Sequence, residues 1–128
     1  MKIEISIGEL VDKVSILDIK LEKIKDAEKL KNIQKEHVLL CVTMENCGIE
    51  TDSDEYNKLK EINTRLWEIE DNIRIKEANQ EFDAEFIKLA RSVYFENDDR
   101  AEVKREINLK FGSKLVEEKE YVDYKKLQ

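Results

Sequence analysis

Apolar residues recur three and four positions apart along almost the whole chain, and no proline interrupts them. That period belongs to the α-helix, at about 100° per residue, and not to the alternation of a strand. Glycine occurs three times in 128 residues, so regular helices meet few breaks. The fold class that follows is all-α: a helical bundle of three long and two shorter helices. A short extended segment precedes them, in which Ile3, Ile5 and Ile7 alternate with Glu4 and Ser6.

Ser6 and Glu9 form a capping-box pattern that opens a first helix over 7–25. Leu10, Val14, Leu17, Leu21 and Ile24 make one stripe on it, while Ile16 and Ile19 point to the opposite side. A helix apolar on two faces is central in its bundle or lies in an interface between copies. The second alternative predicts a homo-oligomer, most simply a dimer. Asp26 caps a second helix over 27–46, whose stripe is Leu30, Ile33, His37, Leu40 and Met44, with Val38 and Cys41 beside it. Asp52 and Glu55 repeat the capping pattern before a third helix over 53–78, with Leu59, Ile62, Leu66, Ile69 and Ile73 facing the core. A fourth, over 84–96, buries Phe86, Leu89, Ala90 and Val93. Asn97-Asp98-Asp99 predicts a turn and cap, after which a fifth helix runs to Phe111, ahead of Gly112-Ser113. Residues 1–128 read as a single helical domain without internal repeats, and 114–128 as a loosely docked tail that either adds a short helix or frays.

Net charge is −7, with acids and bases interspersed. Duplex nucleic acid is therefore not an expected partner, because such binding rests on a basic face. No apolar run reaches the length of a membrane span and no signal-peptide core follows Met1, so the expectation is a soluble, cytoplasmic protein. Cys41 and Cys47 stand six residues apart and point in different directions, which disfavours a disulfide; two thiols and one histidine make no zinc set. His37 within an apolar stripe reads as a satisfied core histidine, and no Glu-x-x-His pair accompanies it. Glu68/Asp71 and Glu102/Glu106 are at helical spacing for a shared magnesium ion, but such spacings arise by chance in so acidic a chain, and neither a metal nor a cofactor is expected. No nucleophile–base set, phosphate loop or dinucleotide fingerprint is present.

The third helix carries a second row beside its core stripe: Tyr56, Asn63, Trp67, Glu70 and Arg74. Trp67 is suited to stack on a ring and Arg74 to meet an anion, although an i,i+4 pair of Glu70 and Arg74 beside a boundary Trp accounts for the same residues. The predicted fifth helix places Arg100 and Lys104 in the same arc as Val103, Ile107 and Phe111. Cations there must find acids, hold an anionic ligand or snorkel outward. Arg91 similarly borders Ile87 and Tyr94. Arg74, Arg91, Arg100 and Lys104, with Trp67 and Tyr94, are thus expected to line one cavity or subunit interface. The competing expectation pairs the cations with Glu70, Asp71 or Asp99.

Three stretches resemble a known family: Gly8-Glu9-Leu10-Val11-Asp12-Lys13 leading to Ile19-Lys20; Leu66-Trp67-Glu68-Ile69-Glu70-Asp71-Asn72-Ile73-Arg74; and Phe86 to Tyr94, through Asn97-Asp98, to Lys104-Arg105-Glu106-Ile107-Asn108. The family consists of short bacterial and phage proteins carried as a domain of unknown function, so the resemblance implies no catalytic residues. Three function hypotheses remain. The first is a non-catalytic binding protein holding a small anionic ligand, such as a signalling nucleotide that it sequesters. The second is an enzyme or accessory factor acting on nucleotides or sugar phosphates through Glu68, Asp71 or Asp99. The third is a protein-binding module using the second apolar face of the first helix.

Overall fold

A computed structural model describes residues 1–124. Among the described residues there are four α-helices and no strand: α1 Ile7–Lys23, α2 Ala27–Asn46, α3 Asp54–Ala78 and α4 Ala84–Lys110. The two shorter helices expected at the C-terminal end are one continuous helix. Asn97, Asp98 and Asp99 lie inside α4, not in a turn. A break there would sacrifice backbone hydrogen bonds and the long pairing of α3 with α4, against a propensity cost of only about 0.7 kcal/mol per residue. Two of the three polar side chains are also placed by the helix, since Asn97 borders a cleft and Asp98 accepts a hydrogen bond from the Tyr124 hydroxyl.

The helix starts follow local chemistry. Ser6, Asp26, Ser53 and Asp83 each cap a helix by accepting a backbone N–H three residues on. Two expected capping boxes are corrected. At α1, Ser6 accepts from Glu9 N–H, but the Glu9 carboxylate turns to Lys104 rather than back to the cap. At α3 the cap is Ser53, not Asp52, and Glu55 pairs with Lys110. Gly48 and Gly112, just past α2 and α4, take positive φ, where a glycine ends a helix without Cβ strain. Residues 1–6 are irregular, with Ile5 and Ile7 packed on the core and Ile3 exposed.

α1 is the central helix. Its backbone lies close to those of α2, α3 and α4, whereas that of α2 comes close to no helix but α1 and reaches the shared core through Met44. Both apolar faces of α1 are thereby used inside one chain: Ile19 is 1% exposed, against Leu66 and Asn63. The sequence feature that suggested an oligomer through Ile16 and Ile19 is accounted for by α3. The main core gathers Leu10, Val11 and Val14 of α1 with Met44, Ile49, Tyr56, Leu59 and Ile107. Burying each large apolar side chain contributes about 1.5–3 kcal/mol.

One contact sets how α1 meets α4. A Cβ added to Gly8 would stand 2.5 Å from the Lys104 carbonyl oxygen, so only glycine permits this approach. There the Gly8 N–H donates to Asn108 Oδ1 at 2.6 Å and the Ile7 N–H to Ser113 Oγ at 3.0 Å. Two N–H groups that the first helical turn leaves without intrahelical partners are thus satisfied from the end of α4. Beyond Ser113 the described chain adds no further long helix but runs back along α4. Glu117 reaches Lys104, Glu118 reaches Arg105, and Tyr124 seats its ring against Tyr94 and Phe95.

Candidate functional site

A cleft of about 500 Å³ opens where α1 crosses the α3–α4 pair. Ile16 and Ile19 of α1 and Leu66 of α3 give it an apolar floor. Asn63, Trp67, Glu70 and Arg74 stand along α3 at intervals of four, three and four, the spacing that puts side chains on one helical face. This is the row singled out from the sequence, without Tyr56, which is buried in the core. Asp71 completes the α3 wall, and Asn97 and Arg100 form that of α4.

A buried polar network holds the cleft from below. Asn63 Nδ2 donates to Asp12 Oδ1 at 2.8 Å and to Ser15 Oγ at 2.9 Å. Ser15 Oγ donates in turn to the Asp12 carbonyl at 2.7 Å. With both amide hydrogens committed, the Asn63 oxygen is left to accept, and Arg100 donates to it at 3.2 Å. Asp12, Ser15 and Asn63 are all buried, so the network is screened from water and each bond restricts the next.

The charges divide unequally. Arg74, 71% exposed, gives its guanidinium to the Glu70 carboxylate four residues earlier at 2.6 Å. Arg100 is half-buried and has no carboxylate within ion-pair distance among the described residues; Asn63 is the acceptor it has. Its charge is nonetheless felt by Glu9. The Lys104 ammonium, hydrogen-bonded to Glu9, is the main cause that holds this carboxyl below the usual range, and Arg100 adds to it from farther away.

Of the six residues expected to share one cavity, the structure brings together Trp67, Arg74 and Arg100. The other three lie elsewhere, which corrects the single-cavity expectation. Lys104 is drawn to the α1 N-terminus, where its ammonium meets Glu9 at 2.6 Å and Glu117 at 3.5 Å, leaving the side chain 11% exposed. Tyr94 packs on Phe95 and Tyr124, at 5.1 and 5.0 Å between ring centroids. Arg91 is exposed on α4 and lines none of the cleft. The anticipated ion-pair partners are met once, at Glu70, while Lys104 chose Glu9.

The three acids considered for chemistry face different surfaces. Glu68 borders a groove with Lys60 and Arg65, Asp99 another with Glu102 and Glu106, and only Asp71 reaches the cleft. Among the described residues no three His, Cys, Asp or Glu side chains converge as metal ligands would. His37 pairs with Asp18 at 2.6 Å, and Cys41 and Cys47 are unpaired thiols. Burial, with Glu45 nearby, pushes the Cys41 thiol up, away from the thiolate that reactivity requires. Among the described residues no helix is long and apolar enough to cross a membrane.

Asp12, Ser15 and Asn97 escaped the sequence reading as members of this region. A signal for two of them existed. Gly8, Asp12, Ser15 and Ile19 fall four, three and four apart, a small and polar line within an otherwise apolar arc of α1. Asn97 was masked by its neighbours Asp98 and Asp99, which made it look like part of a turn.

The chain belongs to a family of unknown function (DUF6165), which it matches over residues 1–125. No curated protein and no solved structure matches it.

Proposed function

We propose that this member of the family is a non-catalytic binding protein whose α1–α3–α4 cleft holds a small anionic ligand bearing a planar ring, of which a nucleotide is the fitting example. Arg100 is the observation that carries the reading. A guanidinium beside an apolar floor, held by one amide oxygen and without a carboxylate partner among the described residues, retains donors for an anion. Trp67 stands on the opposite wall and offers a ring face for stacking. Asp71 and Asn97 supply hydrogen-bonding groups for the polar edge of a base or sugar. Holding the ligand without converting it is the simplest use of such a cleft, and sequestering a signalling nucleotide is the corresponding role.

Trp67 is the sole tryptophan, so its fluorescence reports on the cleft without labelling. Titration with nucleoside mono-, di- and triphosphates, sugar phosphates and inorganic phosphate should show saturable quenching by the nucleotides. The same ligands should raise the melting temperature, since a hundredfold excess over Kd stabilises the folded chain by about 2.7 kcal/mol. Arg100→Ala should abolish both effects, and Arg100→Lys should retain part of them. A parent protein that no compound in the panel quenches or stabilises would refute the reading. Arg100→Ala that only lowers the unliganded melting temperature would then mark Arg100 as a structural residue.

A further inference from the structure

The outward face of α2 takes no part in the cleft. Leu30, Ile33, His37, Leu40 and Met44 make the partly or fully buried side of α2, whose backbone comes close to that of no helix but α1. The opposite side of the helix exposes Val38, Leu39 and Val42 at 61%, 65% and 52%. Such a cluster of aliphatic side chains at the middle of a solvent-facing helix is not what an amphipathic surface helix presents.

Its neighbours show what fits there. Glu28, Lys31, Lys35, Val38, Val42 and Glu45 follow one another at intervals of three, four, three, four and three. This is the spacing of a coiled-coil seam, and within it the two valines stand between Lys35 and Glu45. Among the described residues Lys35 makes no ion pair, and the Glu45 carboxylate makes none either, accepting only a long hydrogen bond from the Cys41 thiol. We infer that this face pairs with the α2 face of a second copy of the chain, antiparallel, about a two-fold axis level with Leu40. That axis sets Val38 against the partner's Val42 and Lys35 against the partner's Glu45, and symmetry repeats both pairs. Leu39 flanks the seam and covers the valines. A face that is its own complement in both apolar and charged positions is what an isologous dimer requires.

The match is specific to this register. Displacing the axis by one seam position toward the N-terminus would set Lys35 against Val38 and Glu28 against Glu45, and toward the C-terminus would set Glu45 against Val42. Past Glu45 the chain turns away at Gly48, so the contact is confined to one helix and the dimer is weak, with a Kd in the micromolar range. The face is remote from the α1–α3–α4 cleft, so the pairing stands or falls independently of ligand binding.

The test is sedimentation velocity of the full chain across the micromolar range, with circular dichroism to confirm that each variant is helical. The parent should move from monomer to dimer with rising concentration. Val42→Glu should hold it monomeric. Lys35→Glu, at an exposed position, creates two like-charge pairs and should weaken dimerisation by at least about tenfold. Lys35→Glu combined with Glu45→Lys should restore the parent's association. A parent that stays monomeric throughout overturns the inference. So does a dimer that a folded Val42→Glu variant still forms, or a double exchange no tighter than Lys35→Glu alone.

Discussion

Asn63 is the residue through which α1, α3 and α4 are held in register, and replacing it by leucine isolates what its amide does. Leucine keeps the branching at Cγ and leaves no cavity, although its bulkier methyl groups add overpacking to the loss. The lost bond to the Asp12 carboxylate is charge-assisted and contributes about 1.5–3 kcal/mol. The bond to Ser15 adds about 1 kcal/mol, while Ser15 keeps its own donation to the Asp12 carbonyl. Asp12 is buried, so water cannot readily replace the missing donor. The sum is about 3 kcal/mol, a large part of the roughly 5–15 kcal/mol that stabilises a domain. For a chain of this length it corresponds to a fall in melting temperature of roughly 10 °C. Urea unfolding followed by far-ultraviolet circular dichroism, with Trp67 fluorescence as a second probe, measures it. A double-mutant cycle of Asn63→Leu with Asp12→Ala should return a coupling of about 1.5 kcal/mol or more. If Asn63→Leu remains within about 0.5 kcal/mol of the parent, or the two substitutions are additive, the network does not hold the helices together.

Gly8→Ala reverses the usual sign of a glycine-to-alanine change in a helix. Alanine gains up to about 1 kcal/mol of propensity, but its methyl meets the Lys104 backbone, and overpacking of this kind costs about 1–3 kcal/mol. A net loss is expected in thermal unfolding; an unchanged or higher melting temperature would show that α1 and α4 can separate freely. Glu9 has its carboxyl held below the ordinary value of 4.5, chiefly by the hydrogen bond from Lys104. Its contribution is therefore full above about pH 4.5 and is lost as pH falls through the lowered value. The stability difference between the parent and Glu9→Gln, measured by urea unfolding, should be present at neutral pH and shrink on acidification below 4.5. A difference independent of pH would refute the pairing as its source.

How much of this was legible in the sequence depended on the range of the interaction. Helix α2 was placed at 27–46, where it lies, because Asp26, an apolar stripe and Gly48 are all local signals. The break expected at 97–99 failed for the same reason. Asn-Asp-Asp is a turn signal only where nothing distant rewards helix, and here the continuous pairing with α3 and the Tyr124 hydroxyl both do. Ile16 and Ile19 were correctly separated from the main stripe of α1, yet a single helix cannot say whether its second face meets its own chain or a copy. The candidate site shows the limit most plainly. Arg100 and Lys104 carry the same local anomaly, a cation in an apolar arc one helical turn apart. Lys104 is answered by Glu9, 95 residues earlier, because Gly8 lets α1 approach α4 at that level. Arg100 sits one turn farther along, where α1 presents Asp12 and Ser15, and Asn63 has already claimed both. The two cations differ in what the crossing helix leaves available at their level, and that difference makes one of them a strut and the other the centre of the proposed cleft.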